Sequence, residues 1–244
     1  MVLAGPSAAG HRLAGALAVT LVFAVVARVI RGVTTSGALA GALVSFLLYA
    51  AAGPGAFLVL VSVFVLTWIT TRLGYPRKER RGTAEKRGGR TASQVLANLG
   101  VAAISAGLYG LWPRPVFLLM VSAALAEAAG DTVSSELGQL TRDTAVLITT
   151  WEDVPSGTDG GITVGGTLAG AFAAALISLV CALMELVPAA WFWISAAAAV
   201  VGMLADSVLG ASLQRKGILN NDGVNFLSTA VAAVTAVVMA TFWH

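Results

Sequence analysis

Charge is scarce in this chain, and so are the residues that usually serve soluble chemistry. Of 244 residues, 11% are charged and 57% hydrophobic. An average soluble protein is about a quarter charged, so a soluble globular domain is excluded. Mean hydropathy is +0.85. The single cysteine, Cys181, lies inside the apolar run LISLVCALM. It excludes a disulfide within the chain and reads as a small buried apolar residue. The two histidines, His11 and His244, stand at the termini, so an interior site has no histidine base. A cleavable leader is not evident either. The first apolar run follows only His11 and Arg12 and reads as a membrane helix. An isoelectric point near 9.4 reports the basic loops of a membrane protein, not nucleic-acid binding.

What is there is a series of apolar runs, each close to the ~20 residues a spanning helix needs. Eight spans are expected, at 12–30, 35–51, 55–73, 92–112, 115–130, 163–187, 189–211 and 223–243. The fold class is an all-α polytopic membrane protein, one integral membrane domain over 1–244. Gly53-Pro54, Trp112-Pro113 and Pro188 mark turns on one side. The longer connections, 31–34, 74–91, 131–162 and 212–222, fall on the other. That second side holds 13 of the 15 Lys and Arg, with Arg142 among them; only Arg12 and Arg114 fall opposite. Basic loops stay in the cytoplasm. The expected topology therefore has both termini outside and the long loops in the cytoplasm, and the composition points to a bacterial membrane. Trp112, Trp191, Trp193 and Trp243 near span ends read as interface anchors. Residues 32–42 (GVTTSGALAGA) and 161–171 (GITVGGTLAGA) agree at seven of eleven positions. This suggests parallel repeat halves, 12–112 and 115–243, with a site between them.

Three carboxylates sit beside small residues in or at the ends of apolar runs: Glu127 and Asp131 in AEAAGDTVSSE, and Asp206 in MLADSVLG. A carboxylate costs several kcal/mol at membrane depth and is usually kept for an ion, a proton or a substrate. Glu127 and Asp131 are four apart and share a helix face. Glu136 points about 140° away from Asp131 on a continuous helix, and reaches the same site only if the helix breaks near Gly130. Asp206 lies on a stripe with Gly202 and Gly210, where a backbone or ligand can approach closely. Such oxygens suit a hard cation, Mg²⁺, with Glu127, Asp131, Asp206 and Asp222 as candidate ligands. The plain alternative is pairing with nearby arginines or capping of helix ends.

Polar and basic residues collect on the same side. The segment VPSGTDGGITVGG (154–166) is a Gly-rich loop entering a helix. Gly157, Thr158, Gly160 and Gly161 are candidates to cradle phosphate against the helix N-terminus; a flexible turn is the plain reading. The loop 72–90 carries eight Lys and Arg. Arg77 to Arg81 also suit anionic headgroups. Lys86, Arg90, Gln94 and Asn98 step at i+4 from this loop into a span, which together with Arg72 points to phosphate binding. Gln214, Asn221 and Asn225 extend the candidate set, with interhelical hydrogen bonding as their alternative. Without histidine, proton removal would fall to a carboxylate. Phosphoryl transfer to an existing phosphate needs little base help, because the acceptor oxygen is already ionised.

Four segments, GRTASQVLANLG (89–100), GDTVSSELG (130–138), ITTWEDVPSGTDGGIT (148–163) and DSVLGASLQRKGILNNDGVNFLS (206–228), together resemble the integral membrane family that includes plant phytyl-phosphate kinase and transmembrane protein nineteen. The resemblance runs from about residue 28 to 230. It implies transfer of a phosphoryl group from a nucleoside triphosphate, CTP favoured, to an isoprenoid monophosphate. It also implies that Asp131 and Glu136 stand at the metal, with Asp206 alongside as a catalytic group. Val133, Ser156, Asp159 and Leu99 stand where the family usually has Trp, Pro, Asn and Gly, and Val133 and Leu99 bear on the lipid pocket. The expectation is a membrane-embedded lipid kinase using Mg²⁺, with a lipid phosphate as partner, no nucleic acid, and the oligomeric state open. A cytidylyltransferase on a lipid phosphate and a transporter or flippase of anionic lipid are the alternatives. A scaffold leaves the intramembrane carboxylates without a role.

Overall fold

The computed structural model describes residues 6–141 and 144–242; Arg142, Trp243 and His244 lie outside the described residues. Among the described residues eight helices are long and apolar enough to cross a membrane: Gly10–Val29, Thr35–Ala52, Pro54–Arg72, Ala92–Leu111, Pro115–Leu140, Val164–Leu183, Ala189–Gln214 and Asn221–Thr241. The expected spans and the observed ones agree within a few residues at most ends. In chain order the helices are α1 (Pro6–Val29), α2 (Thr35–Leu47), α3 (Pro54–Arg72), α4 (Tyr75–Arg80), α5 (Ala92–Leu111), α6 (Pro115–Thr141), α7 (Val164–Leu183), α8 (Phe192–Leu209) and α9 (Asn221–Thr241). π-turns extend α2 over Leu48–Ala52 and α8 over Gly210–Gln214.

Local chemistry sets the helix starts. Thr34, Thr163 and Asn220 each accept from the backbone N–H three residues on, at Gly37, Gly166 and Gly223. Each supplies one of the orphan donors of a helix N-terminus with a partner. The two similar segments seen in the sequence are therefore the capped starts of α2 and α7. Thr91 caps α5 through a full capping box with Gln94.

Three features depart from the sequence reading. α6 does not end at residue 130 but runs unbroken to Thr141. Gly130 there packs against Gly170 of α7, so the glycine serves a close helix crossing and not a break. The connection after α6 folds into a small antiparallel sheet of order β2-β1-β3, with β1 Thr144–Leu147, β2 Asp153–Pro155 and β3 Gly161–Ile162. Strands of two to four residues leave no period to read. The short α4 lies inside the basic loop. α6 is the hub of the bundle, packed against α3, α5, α7, α8 and α9. Its center is lined by small residues such as Ala123, Ala124, Ala126 and Ala129, all buried, which lets neighbors crowd round it. Glu127 and Asp131, two of the three candidate carboxylates, therefore lie on the most enclosed of the described spans.

Candidate functional site

The acidic stripe comes together as its spacing implied. Glu127 is 1% exposed and lies within electrostatic reach of both Asp131 on its own helix and Asp206 on α8. Gly202 makes that approach possible: a Cβ there would stand 2.7 Å from Glu127 Cγ and 2.8 Å from the Ser228 carbonyl oxygen of α9. Ser228 lies beside both Glu127 and Asp206. Two buried oxygens, Glu127 Oε1 and Asp206 Oδ2, have no hydrogen-bond partner. Arg90 sets a positive charge against Asp131, and its guanidinium also donates to Thr132 Oγ1 at 3.2 Å. Asp159 of the Gly-rich loop adds its charge at Asp206. Partial burial pushes the Asp159 carboxyl above its ordinary value, and Arg215 beside it pulls it back. The sequence marked Asp159 only as a departure from the family's Asn; its place near Asp206 follows from the fold of the loop.

Arg90 also belongs to a second feature, a cavity of about 430 Å³ between α1, α2, α3, α5 and the basic loop. The mouth is cationic: Arg72, Lys86 and Arg90, all expected from the sequence, line it with Arg31 and Arg87. Asn98 lines it too, with its amide donating to the Gln94 carbonyl at 2.9 Å. Below the mouth the walls are apolar, with Phe23, Leu60, Val63, Phe64 and Leu99. Arg72 stacks over Trp68, its guanidinium carbon 4.5 Å from the ring centroid, and donates to the Ile30 carbonyl. Arg90 is fixed through its backbone, which accepts from Thr34 N–H at 2.9 Å and donates to the Gly32 carbonyl at 3.1 Å. Ala128 of α6 lines the cavity between the positions of Glu127 and Asp131. The cavity and the acid group therefore meet at Arg90.

Several candidates are placed elsewhere. Glu136 does not join Asp131: on the unbroken α6 it faces Lys78 and forms an ion pair with it. Lys78, read from its surroundings RKERR as a headgroup contact, is fully buried and also donates to the Thr70 and Thr71 carbonyls at the end of α3 at 3.2 and 2.8 Å. Gln94 is engaged by its cap and by Glu85, to which its amide donates at 3.1 Å; the T-x-x-Q spacing at 91–94 was the available signal. Asp222 lines a different, apolar cavity with Leu43, Leu96 and Phe226. Thr158 gives its hydroxyl to the Pro155 carbonyl at 2.7 Å and Gly161 its N–H to Thr158 O at 2.9 Å, within the turn. Gly160, at φ +75°, packs so closely on the π-turn after α8 that a Cβ would stand 2.4 Å from Ala211 N. Gly157 stands against Thr83 in the same way, where a Cβ would come within 2.6 Å of Thr83 Cγ2. These glycines admit neighboring chain, and the loop delivers Asp159 to the acid group. Gln214 closes that π-turn and is half-buried, Asn221 is exposed at the start of α9, and Asn225 is half-buried one turn on.

The oxygens fit a hard cation in chemistry, and the two orphaned atoms lack a positive partner. The fit is not a closed protein cage: among the described residues no group of three or more His, Cys, Asp or Glu side chains is arranged to hold a metal. Mg²⁺ is commonly held by one or two carboxylates plus substrate phosphates, and that arrangement suits Glu127, Asp131 and Asp206.

The architecture defines a multi-pass membrane protein, with a group of carboxylates inside its helices beside a basic loop. The chain belongs to the integral membrane protein family DUF92, whose model matches residues 18–233. It is 34% identical to the uncharacterized membrane protein MJ0933 of Methanocaldococcus jannaschii over 93% of this chain and 94% of that one. It is 31% identical to Protein VTE6, chloroplastic, of Arabidopsis thaliana over 87% of this chain and 67% of that one. It is 33% identical to the uncharacterized membrane protein sll0875 of Synechocystis over 78% and 76%. No solved structure matches.

Proposed function

We propose that this chain is a membrane lipid kinase that transfers a phosphoryl group from a nucleoside triphosphate, CTP favored, to an isoprenoid monophosphate, giving the diphosphate. One observation carries the reading: a cavity with an apolar shaft opens at a cationic mouth that includes Arg90, whose charge also acts on Asp131 of an acid group with two orphaned oxygens. A single-tailed lipid phosphate has that distribution of charge and grease. The four sequence motifs and the membership of the family support the same reading.

In this account the tail lies in the shaft and the lipid phosphate at Arg72, Lys86 and Arg90. The acceptor oxygen is already ionised, so no side chain has to remove a proton, and positioning and charge neutralisation dominate. Arg90 stands between acceptor and donor, fixed through its own backbone, so its position costs no reorganisation during transfer. Glu127, Asp131 and Asp206 would hold Mg²⁺, which supplies neutralisation of the triphosphate charge. Asp159 and Arg215 stand on the nucleotide side of that group. The loop face is cytoplasmic, where nucleotides are available, in agreement with its basic residues.

The test is product analysis. Purified protein is incubated with prenyl monophosphates, CTP or ATP, and Mg²⁺. The expected products are prenyl diphosphate and nucleoside diphosphate. Nucleoside monophosphate attached to the lipid, with pyrophosphate released, would make the protein a cytidylyltransferase; transport without chemistry in vesicles would make it a flippase.

A further inference from the structure

We propose that the cavity measures the isoprenoid tail, with a floor at Phe23 and Leu60, and that Gly41 leaves open the space the tail occupies. The inference rests on the lipid-phosphate reading above and adds a length limit to it. Along α3 the cavity is lined from Leu60 to Arg72, a depth of about 18 Å at 1.5 Å per residue. Half the hydrocarbon core is about 15 Å, so a shaft that opens at the membrane edge beside Arg72 would extend to about the bilayer midplane. Phe23 is the deepest lining residue on α1 and Leu60 the deepest on α3. Phe23 is locked edge-on between two rings, 5.2 Å from Phe64 and 5.6 Å from Phe57 between centroids. Phe57 does not line the cavity and backs the floor. A volume of about 430 Å³ lies toward the lower end of the roughly 300–1,000 Å³ of small-molecule pockets. A farnesyl- or geranylgeranyl-sized tail fits within that depth, whereas an undecaprenyl tail has to leave it.

Gly41 supplies a way to shorten the shaft without disturbing the fold. It lines the cavity midway along α2, and a Cβ built there meets nothing within 4 Å. A leucine at this position replaces a poor helix former by a good one and places its side chain in open space.

The experiment reads binding and transfer separately. Wild-type protein, Gly41→Leu and Phe23→Ala are each mixed with equal amounts of geranyl, farnesyl, geranylgeranyl and undecaprenyl monophosphates. Bound lipid is identified by native mass spectrometry, and transfer is measured in parallel. Wild type is expected to retain the farnesyl and geranylgeranyl species. Gly41→Leu should lose these by about tenfold or more and keep geranyl. Phe23→Ala should gain the longer tails severalfold. Leu60→Ala serves as a second floor variant should Phe23→Ala fail to fold. The same length profile in wild type and Gly41→Leu overturns the inference even if transfer is observed. The expected profiles without any transfer uphold the inference and remove the kinase reading.

Discussion

The two sides of the site are built in opposite ways. The acid side consists of Glu127, Asp131 and Asp206 inside long helices, enclosed by neighbors that approach through Gly202. The cationic side consists of residues on a loop and at helix ends, and Lys86 and Arg72 there are exposed. A buried carboxylate without a partner is costly unless a cation arrives, so in the proposed reading the acid side is preorganised for one. The cations are solvated and individually weak, so the loop needs separate anchoring. Lys78 supplies it, tying α4 to the end of α3 and to Glu136 of α6. Among the described residues, Lys78 and Glu136 are tolerated in the bundle as a pair, and the proposed cation would do the same for Glu127 and Asp206.

The tie between the two sides is the largest single effect to break. Lys78→Met leaves Glu136 without its partner and should destabilise the protein by about 3–5 kcal/mol, measured by unfolding in detergent. The double variant Lys78→Met, Glu136→Leu should recover most of that loss, since an apolar pair replaces an ion pair at little cost. No recovery would mean that Lys78 acts chiefly through the α3 carbonyls.

Next come the carboxylates. Asp131→Asn and Asp206→Asn should each lower transfer by on the order of 10²–10³-fold while the purified protein stays folded. Full activity in both sinks the assignment of the acid side. Gly160→Ala probes how the sheet loop reaches the acids. Its positive φ and the nearby Ala211 backbone predict a loss of about 1–3 kcal/mol, with activity falling as Asp159 shifts. The smallest effect is expected at the exposed cations. Lys86→Gln should weaken lipid-phosphate binding by no more than about fivefold, and less at high salt.

The spans were legible because eight apolar runs of helical length alternate with turns and basic loops. The acid stripe was legible because i+4 spacing survives in any continuous helix, as Glu127 and Asp131 show. Asp206 joined them because Gly202 and Gly210 on its face permit close packing. What was not legible depends on tertiary contacts. Nothing local separates Lys78 from Arg77 or Arg80, yet only the fold buries it. The polar run TVSSELGQLT after Gly130 reads as loop, and packing against α7 makes it helix. The Gly-rich loop looks like a phosphate cradle until Gly160 is seen against Ala211.

Manganese in place of magnesium gives the most direct test, because its resonance reports the ion itself and not turnover. With protein, CTP and a prenyl monophosphate, the account predicts Mn²⁺ bound tightly only when nucleotide is present, because the carboxylates alone do not close a cage. Asp131→Asn and Asp206→Asn should each abolish that bound signal. Tight nucleotide-dependent Mn²⁺ binding that survives both substitutions would contradict the claim that acids from two helices grip one cation with the phosphates.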